Sequence, residues 1–246
     1  IQSRAILTTR DVDPAPSYNN ITINDGGIGS AFTFKINITD APEDFKFQID
    51  DSKGILVDWG DGNNENLADG SNLRTHTYNT NGIYNISIGG EASRISYYGE
   101  GSGTPDLLID ILTPISDGIN GINSSYQMFR DADNIINFTA QNFFDNTSSN
   151  VKDMSKMFYG ADNFNQDLND WDTSKVTNME RMFYFDFFET SSFNGNISDW
   201  NVSSVTDMGS MFSGASSFNQ DLSDWDVSNV TNMIRMFDYA SNFNGN

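Results

Sequence analysis

The chain has 246 residues, and 34 acidic side chains face 13 Lys and Arg for a formal net charge of −21. That charge repels phosphate backbones and anionic headgroups, which excludes nucleic acid as a partner and, with no 18-residue apolar run present, direct membrane insertion. The absence of cysteine excludes disulfides and thiolate chemistry, while the aromatic share of 13% supplies a core.

Residues 1–27 are polar and read as an N-terminal extension. The opening IQSRAILTTR has neither Met nor a basic-then-apolar leader pattern, and the last residues, NFNGN, stop inside a repeat. The expectation is a piece trimmed from a longer polypeptide. Over 28–99, the segments Ala31–Ile38, Phe45–Asp50, Ile55–Gly60, Arg74–Tyr78 and Tyr84–Gly90 alternate in polarity and are rich in β-branched and aromatic residues. The turn signals DAPED, GDGNNEN and NTNG separate them. Short strands at this spacing predict an all-β, Ig-like sandwich. The single histidine, His76, is expected to be a structural hydrogen-bonding residue. Asp58, Asp61, Asn63 and Glu65 form a carboxylate-rich turn whose hard oxygen ligands suit Ca²⁺, although the spacing departs from the EF-hand loop. Residues 100–121 form a joint, in which Leu107–Leu112 (LLIDIL) is expected to be the strand of an N-terminal cap.

Residues 122–246 repeat. VKDMSKMF (Val151), VTNMERMF (Val176), VTDMGSMF (Val205) and VTNMIRMF (Val230) begin 25, 29 and 25 residues apart, with a degenerate copy, INSSYQMF, at Ile122. Met179, Met182 and Phe183 lie at i, i+3, i+4, which predicts a short helix. Leu222, Trp225, Val227 and Val230 follow L-x-x-W-x-V-x-x-V, which predicts a short strand. One strand and one helix per unit give an α/β, leucine-rich-repeat-like right-handed solenoid, because neither element buries its apolar face alone. The Met pairs read as core filler. Asn165, Asn194, Asn219 and Asn244 read as an inward ladder bonded to turn backbone.

Two features of the repeats are candidate binding sites. If the tryptophans point inward, Asp170, Asp199 and Asp224 form one outward column and Asp172, Asn201 and Asp226 a second. Such an acidic strand face is either a plain solvated surface or one that recruits Ca²⁺ or a cationic partner. The longer spacing comes from a four-residue insertion in Phe183–Thr190, which brings Phe185, Phe187 and Phe188 as an aromatic bulge. That bulge either fills a hole in the core or forms an exposed binding knob.

No nucleophile elbow, Walker loop, H-E-x-x-H helix or zinc-type spacing is present, and one His with no Cys excludes most nucleophilic triads. Acids that recur once per repeat describe a scaffold rather than one asymmetric pair with separated pKa values. The expectation is a protein that is not an enzyme and requires no cofactor, with Ca²⁺ as the ion its acidic sites would take.

The unit VTNMxxMFxxAxxFNxxLxxWDVSN resembles the BspA-like leucine-rich-repeat surface proteins, whose 25-residue repeat is also the mycoplasma-type lipoprotein repeat. The segment Val57–Ile88, with its W-G-D-G turn followed by H-T-Y and G-x-Y, resembles the polycystic-kidney-disease (PKD) type β-sandwich. The resemblance implies a secreted or cell-surface adhesion protein with an extracellular protein or glycan ligand, or with secretion and surface-attachment machinery as partner. Type IX secretion is the export route it implies. It offers no catalytic residues to carry over. A structural subunit of an extracellular filament or surface layer is the alternative, and a fragment of a carbohydrate-active enzyme is a third reading.

Overall fold

A computed structural model describes residues 23–24, 27–28, 31–98, 101, 103–140, 142–144, 150–186 and 190–245. Alternation in the N-terminal part builds strands. Phe32, Phe34, Ile36 and Ile38 share one face of a seven-residue strand and all four are buried. In chain order the strands are β1 (Ile23–Asn24), β2 (Gly27–Ile28), β3 (Phe32–Ile38), β4 (Glu43–Asp58), β5 (Asn64–Asn66), β6 (Gly70–Tyr78), β7 (Gly82–Glu91), β8 (Arg94–Ser96), β9 (Leu108–Ile111), β10 (Ile119–Asn120) and β11 (Asn137–Phe138). β1 and β2 pair only with each other, and the other nine make one sheet. The path β11-β9-β3-β7-β4-β5 forms its spine, with β10 on β7 and both β6 and β8 on β4. It is mixed, because β10 and β11 join in parallel.

β4 pairs with four strands of this sheet. Its register shifts where Asp51 and Gly54 take positive φ. The half before that bulge pairs with β6 and β8, and the half after it with β5 and β7. A bulge bends and over-twists a strand, and here it brings the Phe45 ring to 5.9 Å from Phe34 of β3. The sandwich expected over 28–99 is therefore replaced by one open, folded sheet.

The solenoid expectation needs a larger correction. No α-helix forms among the described residues, and the helical elements are short 3-10 turns such as Pro105–Leu107 and Ile115–Asp117. The segment Met154–Ala161 is instead a run of tight turns. Met157, Tyr159 and Ala161 donate backward to the carbonyls of Met154, Lys156 and Phe158. Met154, Lys156, Phe158 and Gly160 donate across to Asn178, Glu180, Met182 and Tyr184 of the next coil, at 2.8–2.9 Å. Alternate amides thus bond within and between coils. Lys156, Arg181, Ser210 and Arg235 sit at φ of 54 to 55°, outside the right-handed helical region. A single eight-residue helix is marginal in water, whereas a ladder between coils satisfies the same backbone groups cooperatively. The apolar i, i+3, i+4 spacing is common to both, since an i→i+3 turn also sets Met154 and Met157 on one side.

The predicted strand is replaced in the same way. Trp171 and Val176, Trp200 and Val205, and Trp225 and Val230 each close i→i+3 turns, and the pairing between coils that resembles a sheet is one bridge per coil along Ser124, Asp153, Asn178, Asp207 and Asn232. The stack is held by its core. Phe129, Phe158, Phe183, Phe212 and Phe237 form a column with ring centroids 5.4 to 5.7 Å apart, and Trp171, Trp200 and Trp225 form another at 6.3 and 6.4 Å. Each fully buried large apolar side chain contributes roughly 1.5–3 kcal/mol.

The sheet closes the first coil. Tyr97 donates its N–H to the Met128 carbonyl at 2.9 Å and stacks on Phe129 at 5.7 Å. β9 lies between β3 and β11, and its Leu108 and Ile111 are buried, so the LLIDIL run is a strand of the sheet. One apolar core runs from Phe32 to Met236 without a break.

Candidate functional site

Asp170, Asp199 and Asp224 are exposed beside the buried Trp171, Trp200 and Trp225, as are Asn201 and Asp226, while Asp172 is half-buried. The oxygens of Asp172, Asn201, Asp226 and Asp199 are engaged locally. Asp172 accepts the N–H of Ser174, Asn201 that of Ser203 and Asp226 that of Ser228, at 3.0–3.1 Å, so the second column is a stack of Asx turns. Hydrogen bonds from the Ser228 side chain and backbone hold Asp226 below the usual carboxylate range. In the first column, Asp199 accepts from the Asn169 amide at 2.6 Å. Further Asx columns run through Asp167, Asn196 and Asp221 and through Asp153, Asn178, Asp207 and Asn232. Asp and Asn alternate in them, which separates like charges that would otherwise stack about 4.8 Å apart. The Asn165, Asn194, Asn219 and Asn244 ladder exists but faces solvent: the amide oxygen of each of the first three accepts the next one's backbone N–H.

The carboxylate-rich turn of the N-terminal part is used similarly. Asp58 caps Gly60, Asp61 caps Asn63, and Glu65 lies exposed in β5. Asp61 also bonds His76 Nε2 at 2.8 Å, and His76 stacks on Trp59 with centroids 4.6 Å apart. Burial pushes the Asp61 carboxyl up, but the hydrogen bonds from His76 and Asn63 outweigh it and leave it below its usual range. Among the described residues, no three His, Cys, Asp or Glu side chains are grouped to hold a metal ion. Phe185 of the aromatic bulge is buried and donates its N–H to Ser213, so it is core, not knob. Phe187 and Phe188 lie outside the described residues.

A different face gathers chemistry. Two positions of the turn run recur once per coil, one on each side of the adjacent Met and Phe. The first carries Gln127, Lys156, Arg181, Ser210 and Arg235, and the second Arg130, Tyr159, Tyr184, Ser213 and Asp238. Stacking sets these in adjacent columns. Arg130 places its guanidinium 4.2 Å from the Tyr98 ring centre and 4.4 Å from that of Tyr159. Tyr159 stacks on Tyr184 at 4.7 Å and 15°, and Lys156 and Arg94 lie over Tyr126 at 5.3 and 5.6 Å. The stacked aromatics and cations continue to Ser210 and Ser213, where the columns turn small.

That change opens a slot of about 500 Å³. Tyr159, Tyr184 and Arg181 line it from the preceding coils, and Arg235, Asp238 and Tyr239 from the following one. Arg181 is 3.5 Å from Glu180 and keeps 44% of its side chain exposed. Arg235 is exposed and has no ion pair among the described residues. Burial, with Asp186 and Tyr184 nearby, raises the Tyr159 phenol, which therefore remains a hydrogen-bond donor at neutral pH. The slot can offer two guanidinium groups, an aromatic platform, serine and tyrosine hydroxyls and, among the described residues, one carboxylate. Reading the repeats as aligned columns, rather than along the chain, is the signal that would have found it: K, R, S, R beside Y, Y, S, D.

The family described as "Mycoplasma protein of unknown function, DUF285" matches residues 184–246. Neither a curated protein nor a solved structure matches the chain. Among the described residues, no helix is long and apolar enough to cross a membrane.

Proposed function

We propose that this chain is a non-catalytic binding or adhesion protein of the cell exterior, and that it holds its ligand in the slot on the tyrosine and arginine face of its coil stack. One observation carries the reading: Arg181, Arg235, Tyr159 and Tyr184 converge on one cavity in a protein of net charge −21. Aromatic and Arg side chains are the residues that anchor recognition surfaces, and rigid stacked coils pre-organise them at little entropic cost. The repeat resemblance supports the extracellular placement.

An array of extracellular glycans and matrix proteins tests this. The chain should bind a defined subset, and Arg181→Ala/Tyr184→Ala/Arg235→Ala should lose that binding while unfolding with the same cooperativity. Undiminished binding by the triple variant would refute the assignment.

A further inference from the structure

Resting on that reading of the slot, we propose that its ligand is a carboxylated sugar unit, a uronate, presented by a glycan. Three properties of the slot point there together. Arg181 and Arg235 line it from coils two steps apart, roughly 9–10 Å of stack. Small Ser210 stands between them, where a third cation of the column would fill the space. Guanidinium groups recognise planar carboxylates through paired N–H donors. Tyr159 and Tyr184 supply an aromatic surface at one side, on which the apolar face of a pyranose ring can rest. Ser210, Ser213 and Asp238 supply hydroxyl partners and an acceptor.

Asp238 discriminates among anions. A site built for a bare phosphate or sulfate gains nothing from a carboxylate in its wall, because like charges repel. A sugar acid carries several hydroxyl donors beside its anionic group and uses an acceptor and cations at once. The global charge points the same way. At physiological salt, potentials decay over about 8 Å, so two local arginines can attract one carboxylate at contact, while a long polyanion would feel the net charge of −21 along its length. Single-stranded nucleic acid also uses cations and stacking rings, but its continuous phosphate chain would run past Asp186 and Asp238.

The test is calorimetric titration of the full chain with a short oligouronate, its methyl ester, the matching sulfated oligosaccharide and a short oligonucleotide. The oligouronate should bind, and esterification should weaken it at least tenfold. Tyr184→Ala and Arg235→Gly should each weaken it at least tenfold. Arg235→Gly separates recognition from folding, because φ is 55° at that position and glycine accepts it, so the variant should melt no lower than the parent. Equal binding of acid and ester, tighter binding of the sulfated sugar or the oligonucleotide, or no oligouronate binding would each overturn the assignment. If the triple variant loses its array ligand while no uronate binds, the ligand class is wrong and the slot stands as the binding site. If the triple variant keeps its array ligand, the slot itself is wrong.

Discussion

Gly214→Ala should destabilise the chain by about 3–5 kcal/mol. Gly214 has φ of +77°, and an added Cβ would overlap the Phe185 carbonyl oxygen of the preceding coil. The left-handed conformation alone costs an alanine about 1–2 kcal/mol. Relieving the overlap separates two coils, weakening the bond from Phe185 N–H to the Ser213 carbonyl at 2.9 Å. That bond contributes about 0.5–1.5 kcal/mol, and partial loss of packing around buried Phe185 and Phe212 supplies the rest. Equilibrium urea unfolding measures the difference. Gly62→Ala is the control, since φ there is +92° but an added Cβ meets nothing within 4 Å; it should show only the conformational part. The sign is diagnostic. In a helix, glycine to alanine stabilises by about 1 kcal/mol, so a Gly214→Ala variant as stable as the parent, or more so, would refute the coil ladder.

Phe212→Ala removes a fully buried ring stacked between Phe183 and Phe237 and should cost about 3–5 kcal/mol in the same assay. Asn201→Asp keeps the Asx turn but makes its column Asp, Asp, Asp; the variant should lose up to about 1 kcal/mol at low salt, with most of the loss recovered at 1 M salt. Asp61 has a depressed folded pKa, so its contribution is present above the ordinary carboxylate value of about 3.9 and is lost as pH falls through the lower folded value. Asp61→Asn should therefore flatten the acid limb of the stability curve below about pH 4, and an unchanged limb would show that Asp61 is not the linked group.

The register of the repeat was legible because large apolar residues recur in place: Phe158, Phe183, Phe212 and Phe237 stack in the order their spacing implies. The local conformation was not. Met154, Met157 and Phe158 have the same apolar period in an α-turn and in a run of i→i+3 turns, and only the positive φ at Lys156 and the bonds to the next coil tell them apart. Those bonds join residues about 25 apart, which no local propensity encodes. The continuity of β4 is hidden for a related reason. Its bulge at Asp51 and Gly54 lets one 16-residue strand pair with four neighbours, so two segments that looked separate are continuous. The acidic columns flank the tryptophans as read, but the oxygens of the second column cap backbone N–H groups two residues on, a role visible in the D/N-x-S spacing of Asp172–Ser174, Asn201–Ser203 and Asp226–Ser228. The tyrosine and arginine slot was illegible along the chain because its parts come from positions as distant as Tyr159 and Tyr239, and it opens where one coil substitutes Ser210 and Ser213 for larger neighbours.

The most direct test sets the two faces of the stack against each other. Array binding should be compared for the parent, for Arg181→Ala/Tyr184→Ala/Arg235→Ala and for Asp170→Asn/Asp199→Asn/Asp224→Asn. Loss of binding in the first variant with retention in the second is the predicted result; retention in the first with loss in the second would place recognition on the acidic face and contradict the account.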